Sequence, residues 1–141
     1  MRILAIDYGS KRIGLALSDP LGMISQGLET LPHPSTQESL VKKIGEIAQR
    51  HGASKILLGL PLNMNGTRGP QALHVETLAE TLREKLSIAV ELWDERLSTA
   101  SVHRHFREWR LSPTKRKKLV DQLSAQLILQ DYLDAQKGRS S

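Results

Sequence analysis

The chain has no cysteine. That excludes disulfides, thiolate nucleophiles and cysteine-ligated zinc. Aromatic residues make up only 4% of it, so the core has to be built from Leu, Ile, Val and Ala. No run approaches the roughly 18 apolar residues of a membrane span, and no membrane partner is expected. The start, Met1-Arg2-Ile3-Leu4-Ala5-Ile6-Asp7, is too short and too soon acidic for a secretory signal, so the expected location is the cytoplasm. Acid is in short supply: 15 Asp and Glu face 20 Lys and Arg, a net charge of +5. That balance favours a polyanionic partner. What is present suits one folded unit. The 141 residues, 39% hydrophobic and 25% charged, can bury a proper core. A single domain is expected over residues 1–137, with a flexible tail at 138–141.

The order of elements defines the fold class. Residues 2–8 are a near-continuous apolar run, as in a strand buried on both faces. Gly9 opens a turn and residues 13–18 form a second strand; after Asp19-Pro20-Leu21-Gly22 a third covers about 23–31. These make an antiparallel meander, which Pro32 and Pro34 then end. Ser35 or Thr36 can cap a helix whose stripe is Leu40, Ile44, Ile47 and Ala48, closed by Gly52. Residues 55–60 read as a buried fourth strand, Pro70 as the first turn of a helix reaching about Leu86, and 88–94 as a fifth strand. Two more helices are expected near 98–109 and 118–136, separated by Leu111-Ser112-Pro113-Thr114. The class is α/β: a mixed five-stranded sheet, meander first and then αβαβαα, with helices on both faces. In such sheets ligands gather in the crevice at the strand C-termini. For the first and fifth strands to meet there, the fourth must lie between or near them.

Three acids stand at element ends. Asp7 closes the first strand, Asp94-Glu95 follows the fifth, and Asp121 opens the last long helix. Carboxylates converging from distant segments suit a hard divalent cation such as Mg²⁺ or Mn²⁺. Each has a plainer reading. Asp7 could hydrogen-bond its own turn. Asp121 could complement the helix dipole. Strand alternation puts Asp94 and Glu95 on opposite faces, and pattern alone leaves both open as the second ligand.

Four segments, in this order and spacing, resemble the YqgF/RuvX family. They are Asp7-Tyr-Gly9-Ser-Lys-Arg-Ile-Gly14, Gly59-Leu60-Pro61-Leu-Asn63-Met-Asn65-Gly66, Asp94-Glu95-Arg96-Leu-Ser98-Thr99, and Val120-Asp121-Gln-Leu-Ser124-Ala125-Gln126 running on to Leu133. The family consists of small bacterial ribonuclease H-like proteins, described as candidate Holliday-junction resolvases and candidate nucleases of precursor 16S rRNA. The resemblance implies a ribonuclease H-like domain in which Asp7, Glu95 and Asp121 bind metal and catalyse. Related resolvases carry a carboxylate where this chain has Leu60-Pro61, so the second acid must come from the fifth strand. Ser124-Ala125 stands where the family often has two alanines, and serine is small enough to keep the packing close.

The basic residues suggest how a phosphate backbone is held. From Arg104 to Lys118 there are Arg104, Arg107, Arg110, Lys115, Arg116, Lys117 and Lys118 against the single acid Glu108. A run of this kind is usually a solvated helix face. Here it leads straight into Asp121, so phosphate capture is the reading preferred. Lys11 and Arg12 in the first turn, Arg96 beside the acids, and Asn65 and Arg68 in the loop after strand four are further candidate contacts. Trp109 is read as a hydrophobic anchor. The five His show no metal-ligand spacing and none is placed as a general base, which fits metal-activated water.

The expected activity is a metal-dependent hydrolase of phosphodiester bonds, in which Asp7 bridges two Mg²⁺ or Mn²⁺ ions roughly 4 Å apart. The resemblance implies 5′-end processing of precursor 16S rRNA in ribosome biogenesis, with ribosomal particles as possible partners. Cleavage of branched DNA at Holliday junctions is the alternative, and a non-catalytic nucleic-acid binder the alternative of another class. A single actin-like nucleotide-binding domain is disfavoured by length, since two are normally needed to enclose the nucleotide. A monomer or weak homodimer is expected; a resolvase needs two-fold symmetry. Replacing Lys115, Arg116, Lys117 and Lys118 with Ala should weaken nucleic-acid binding across all sequences. The plot of log affinity against log salt should flatten by up to about 0.7–0.9 per lost phosphate contact; an unchanged slope would mean that this run faces solvent.

Overall fold

The computed structural model describes residues 1–9, 11–97 and 113–140, with side chains for all of these except 97, 113–122 and 138–140. The first apolar run forms β1 (Arg2–Tyr8), and β2 (Arg12–Ser18) returns antiparallel to it, with Leu4 opposite Leu17 and Asp7 opposite Gly14. The third strand differs from the continuous run over 23–31 expected from sequence. It is two short pieces, β3 (Ser25–Gly27) and β4 (Leu31–Pro32), both paired with β2. Gly27 faces Ala16 and Leu31 faces Ile13, so residues 28–30 must cover residues 14–15. The extra residue bulges the strand and breaks it. Pro32 therefore does not end the meander; it sits in the edge piece, where its missing N–H costs no ladder bond.

Helix α1 (Gln37–His51) is bounded as its sequence suggests. Thr36 accepts the Ser39 N–H at its start, and Gly52 closes it in the left-handed region at φ 66°. Then come β5 (Ala53–Leu60), α2 (Pro70–Lys85), β6 (Ala89–Asp94), a 3-10 turn (Glu95–Leu97) and α3 (Pro113–Ser140). The sheet order is β3-β2-β1-β5-β6, with β4 beside β2. β5 runs parallel to both β1 and β6 and lies between them, so the ends of β1 and β6 open at the same rim.

Strand alternation divides the core in two. Leu4, Ile6, Ile13, Leu15, Ile56 and Leu58 face α1 and α2, where Ile44, Leu78 and Leu82 are fully buried. Ile3, Ala5, Ala16 and Leu57 face α3, against Ala125, Ile128 and Leu129. On the α3 face Ala5 and Ala16 stand where the opposite face carries Leu and Ile, which lets the helix come close there.

The last helix starts earlier than its apolar spacing predicted. Pro113 begins α3, so Asp121 lies more than two turns inside it and does not open it. A dipole effect confined to the first turn gives no account of an acid there. The helix continues to Ser140, over the stretch expected to be a tail. The helix expected at 98–109, with Trp109, lies outside the described residues. Among the described residues no helix is long and apolar enough to cross a membrane.

One buried polar bond ties the meander's far end together: the Ser18 hydroxyl accepts the Ile3 N–H at 2.8 Å. Both residues are buried, so removing the acceptor strands a desolvated donor. Ser18→Ala should cost about 1–3 kcal/mol in denaturant unfolding and leave any function at the opposite rim unchanged.

Candidate active site

Asp7 follows Ile3 and Ala5 on the face that α3 covers, by the alternation of β1, and only 5% of it is exposed. Its neighbours on both sides carry no side chain. Gly14 is opposite it on β2, and the β1–β5 register, with Ile6 beside Leu58, brings Gly59 next to it on β5. Glu95, one residue past β6, is 7% exposed. Its side chain folds back over β5. A Cβ placed on Gly59 would lie 2.7 Å from Glu95 Oε1 and 2.9 Å from Ile128 Cδ1. The Glu95 carboxylate therefore occupies the space that glycine leaves open, over the β5 position adjacent to Asp7.

Asp94 has the opposite orientation. Its carboxylate accepts the Arg96 backbone N–H at 2.9 Å and the Arg96 guanidinium at 2.7 Å. That guanidinium, first through its side-chain bond and then helped by the Arg96 N–H, holds the Asp94 carboxyl below its ordinary range, against the opposing effect of burial. Asp94 thus stabilises the turn that directs Glu95 inward.

Asp121 belongs to the stretch whose side chains lie outside the described residues. Its backbone position is three and four residues before Ser124 and Ala125, both fully buried against the sheet. Among residues with described side chains, no group of three or more His, Asp or Glu is arranged to hold a metal ion. The two described carboxylates nevertheless suit one. They are hard oxygen donors, buried at the ends of the two strands that flank β5, over a glycine whose Cβ would displace one of them.

The expected phosphate contacts divide. Arg96 locks Asp94 and also donates to the Met64 carbonyl at 3.4 Å, clamping the 61–69 hairpin to the end of β6. Asn65 Oδ1 accepts both the N–H and the hydroxyl of Thr67, so this oxygen holds the loop itself. Arg68 pairs with Glu76 at 3.5 Å, and Lys11 is exposed. Arg12 is half-buried, and its Nη1 is buried with no hydrogen-bond partner among the described residues. The chains of Lys115, Arg116, Lys117 and Lys118 lie on α3 with side chains outside the described set, and Arg107 and Arg110 lie outside it entirely.

Two features of the site went unrecognised in the sequence. Gly59 was visible as a glycine inside an apolar strand, a signal of close approach. His33 had no signal at all. Its Nε2 bonds the Gly9 carbonyl, and its ring meets Tyr8 edge-to-face at 4.9 Å.

The architecture, a mixed sheet with the meander first and a carboxylate at the end of its central strand, is that of a ribonuclease H-like protein. It is similar over 98% of the chain to Thermus thermophilus RuvC solved with a Holliday-junction substrate, at a TM-score of 0.59 and 12% identity, covering 96% of that chain. A family model described as "RuvX: Holliday junction resolvase" matches residues 1–135, and the chain belongs to that family. A Syntrophomonas wolfei protein named "Putative pre-16S rRNA nuclease" is 48% identical over 134 residues, 95% of this chain and 94% of its own. A Pelotomaculum thermopropionicum protein of the same name is 43% identical over 136 residues, covering 96% and 88%.

Asp94→Asn tests the division between the two acids. A carboxyl whose folded pKa is depressed stabilises above its unfolded pKa, and that contribution is lost as pH falls through the folded value. The variant should lose up to about 1 kcal/mol at neutral pH. The difference from wild type should shrink in melts taken below about pH 3.9. A constant difference across pH would mean that the charge is not what stabilises the turn.

Proposed function

We propose that this chain is a divalent-metal-dependent nuclease that processes the 5′ end of precursor 16S rRNA in the cytoplasm. The observation that carries the chemistry is the pair Asp7 and Glu95, buried on either side of β5 with the Glu95 carboxylate in the space left by Gly59. The substrate class follows the names of relatives at 43% and 48% identity. In this reading Asp7, Glu95 and Asp121 hold two Mg²⁺ or Mn²⁺ ions. Such ions supply water activation and charge neutralisation at the scissile phosphate.

The chain's own residues do the positioning. Gly59 gives the Glu95 carboxylate its place beside Asp7. Arg12 and Lys11 neutralise backbone charge beside Asp7, and the basic run entering α3 extends that surface toward the rest of the substrate. The hairpin clamped by Arg96 forms the opposite wall. The partners are precursor rRNA and the ribosomal particles that contain it, and the working form is a monomer or weak homodimer.

Cleavage of four-way DNA junctions is a second reading, favoured by the description of the matching family model. It requires a two-fold dimer that cuts two strands symmetrically. Side-by-side cleavage of precursor rRNA and junction DNA separates the two. Asp7→Asn and Glu95→Gln should each lower cleavage by orders of magnitude, with folding and nucleic-acid binding nearly intact. EDTA should do the same to the wild type. Full activity in EDTA or in Asp7→Asn would overturn the mechanism. Tight binding with no cleavage of any substrate would leave a non-catalytic binder.

A further inference from the structure

Across the rim from Asp7, on the α1–α2 side of the sheet, lies a cleft of about 280 Å³. It opens between the first turn of α1 and the second and third turns of α2. Its walls include three rings: Tyr8, His33 and His74. Buried Leu40 and Leu78 contribute apolar surface, while Thr36, Gln37 and Thr77 add hydroxyls and an amide.

Among the described residues the lining contains no Asp, Glu, Lys or Arg. A phosphate site is usually built from Lys or Arg and a hard-cation site from carboxylates, and the lining offers neither. Two other clefts among the described residues differ in this respect. One is lined by Glu29 and Arg50, the other by Glu38, Lys42 and Lys85. Rings together with neutral donors and acceptors match a flat heterocycle with hydrogen-bonding edges. Pockets for drug-sized ligands span roughly 300–1,000 Å³, so a cleft of about 280 Å³ suits a smaller ligand, the size of one base.

The cleft is also tied to the carboxylate site. Tyr8 follows Asp7 directly, and adjacent Cα atoms are about 3.8 Å apart. His33 holds the Gly9 carbonyl, and Gln71 Nε2 donates to the Tyr8 carbonyl at 2.7 Å. The wall of the cleft and the end of β1 therefore form one hydrogen-bonded unit. On the nuclease reading, a strand with a phosphate held at Asp7 would cross this rim.

We propose that this cleft receives one unpaired nucleobase of the substrate strand, next to the scissile phosphate, stacked among Tyr8, His33 and His74. The proposal rests on the nuclease reading and adds a requirement: the substrate must be single-stranded at that nucleotide. Recognition of splayed, unpaired bases by stacking on aromatic and His side chains is the usual mode for single-stranded RNA.

The test uses the full chain and a set of short single-stranded RNAs, each carrying 2-aminopurine at a different position. Stacking should quench the fluorescence strongly at one position only. Replacing that nucleotide by an abasic one should weaken binding about tenfold. His74 is exposed, so His74→Ala should fold normally; it should produce a similar loss on the intact RNA and none on the abasic RNA. His74→Phe, which keeps a ring, should restore affinity. Uniform quenching along the strand, or unchanged affinity in His74→Ala, would overturn the pocket even if precursor rRNA is cut. A position-specific quench in a protein that cuts nothing would support the pocket while removing the nuclease reading.

Discussion

Everything at the rim depends on how closely α3 and the 3-10 turn approach the sheet at Gly59. At that point the Glu95 carboxylate and the Ile128 methyl both lie within contact of where a Cβ would be. Small residues recur on that face, with Ala5 and Ala16 on the strands and Ser124 and Ala125 on the helix. Large side chains there would bury more apolar area, at about 25 cal/mol per Å². They would also hold the helix away and leave Glu95 nowhere to fold back. The opposite face carries Leu and Ile throughout and provides most of the hydrophobic stabilisation. The two faces thus have different tasks, one stability and the other approach.

The adjacent acids Asp94 and Glu95 show how one turn sorts two similar groups. Asp94 is neutralised locally by Arg96, whose guanidinium and N–H both reach it. The same guanidinium holds the Met64 carbonyl, so the hairpin after β5 and the turn after β6 are fixed together. Glu95 is left pointing inward over β5. A carboxylate is costly to bury, and the arrangement concentrates that cost at one place beside Asp7.

The end of β1 serves both sides of the sheet. Asp7 belongs to the α3 face and Tyr8 to the α1–α2 face, as alternation requires. A one-residue slip would exchange them. Pairing on both flanks, with β2 antiparallel and β5 parallel, prevents that slip. His33 and Gln71 then fix the carbonyls that follow.

Much of this molecule was legible in its sequence, because the signals were local. Apolar runs marked β1, β5 and β6, Thr36 and Gly52 marked the ends of α1, and Pro70 marked the start of α2. The family resemblance was carried by short segments whose order survives in a linear reading. Other features depended on pairs far apart in the chain. The extra residue that splits β3 from β4 exists only relative to β2. The depth of Asp121 in its helix depended on whether Pro113 would separate two helices or start one. The inward turn of Glu95 depended on a glycine 36 positions earlier, on a strand beside it. Tyr8, His33 and His74 share a cleft that no spacing predicts. Residue types and local propensity determine which elements form. Register and interlayer distance, set only when distant strands and helices pack, decide which side chains meet.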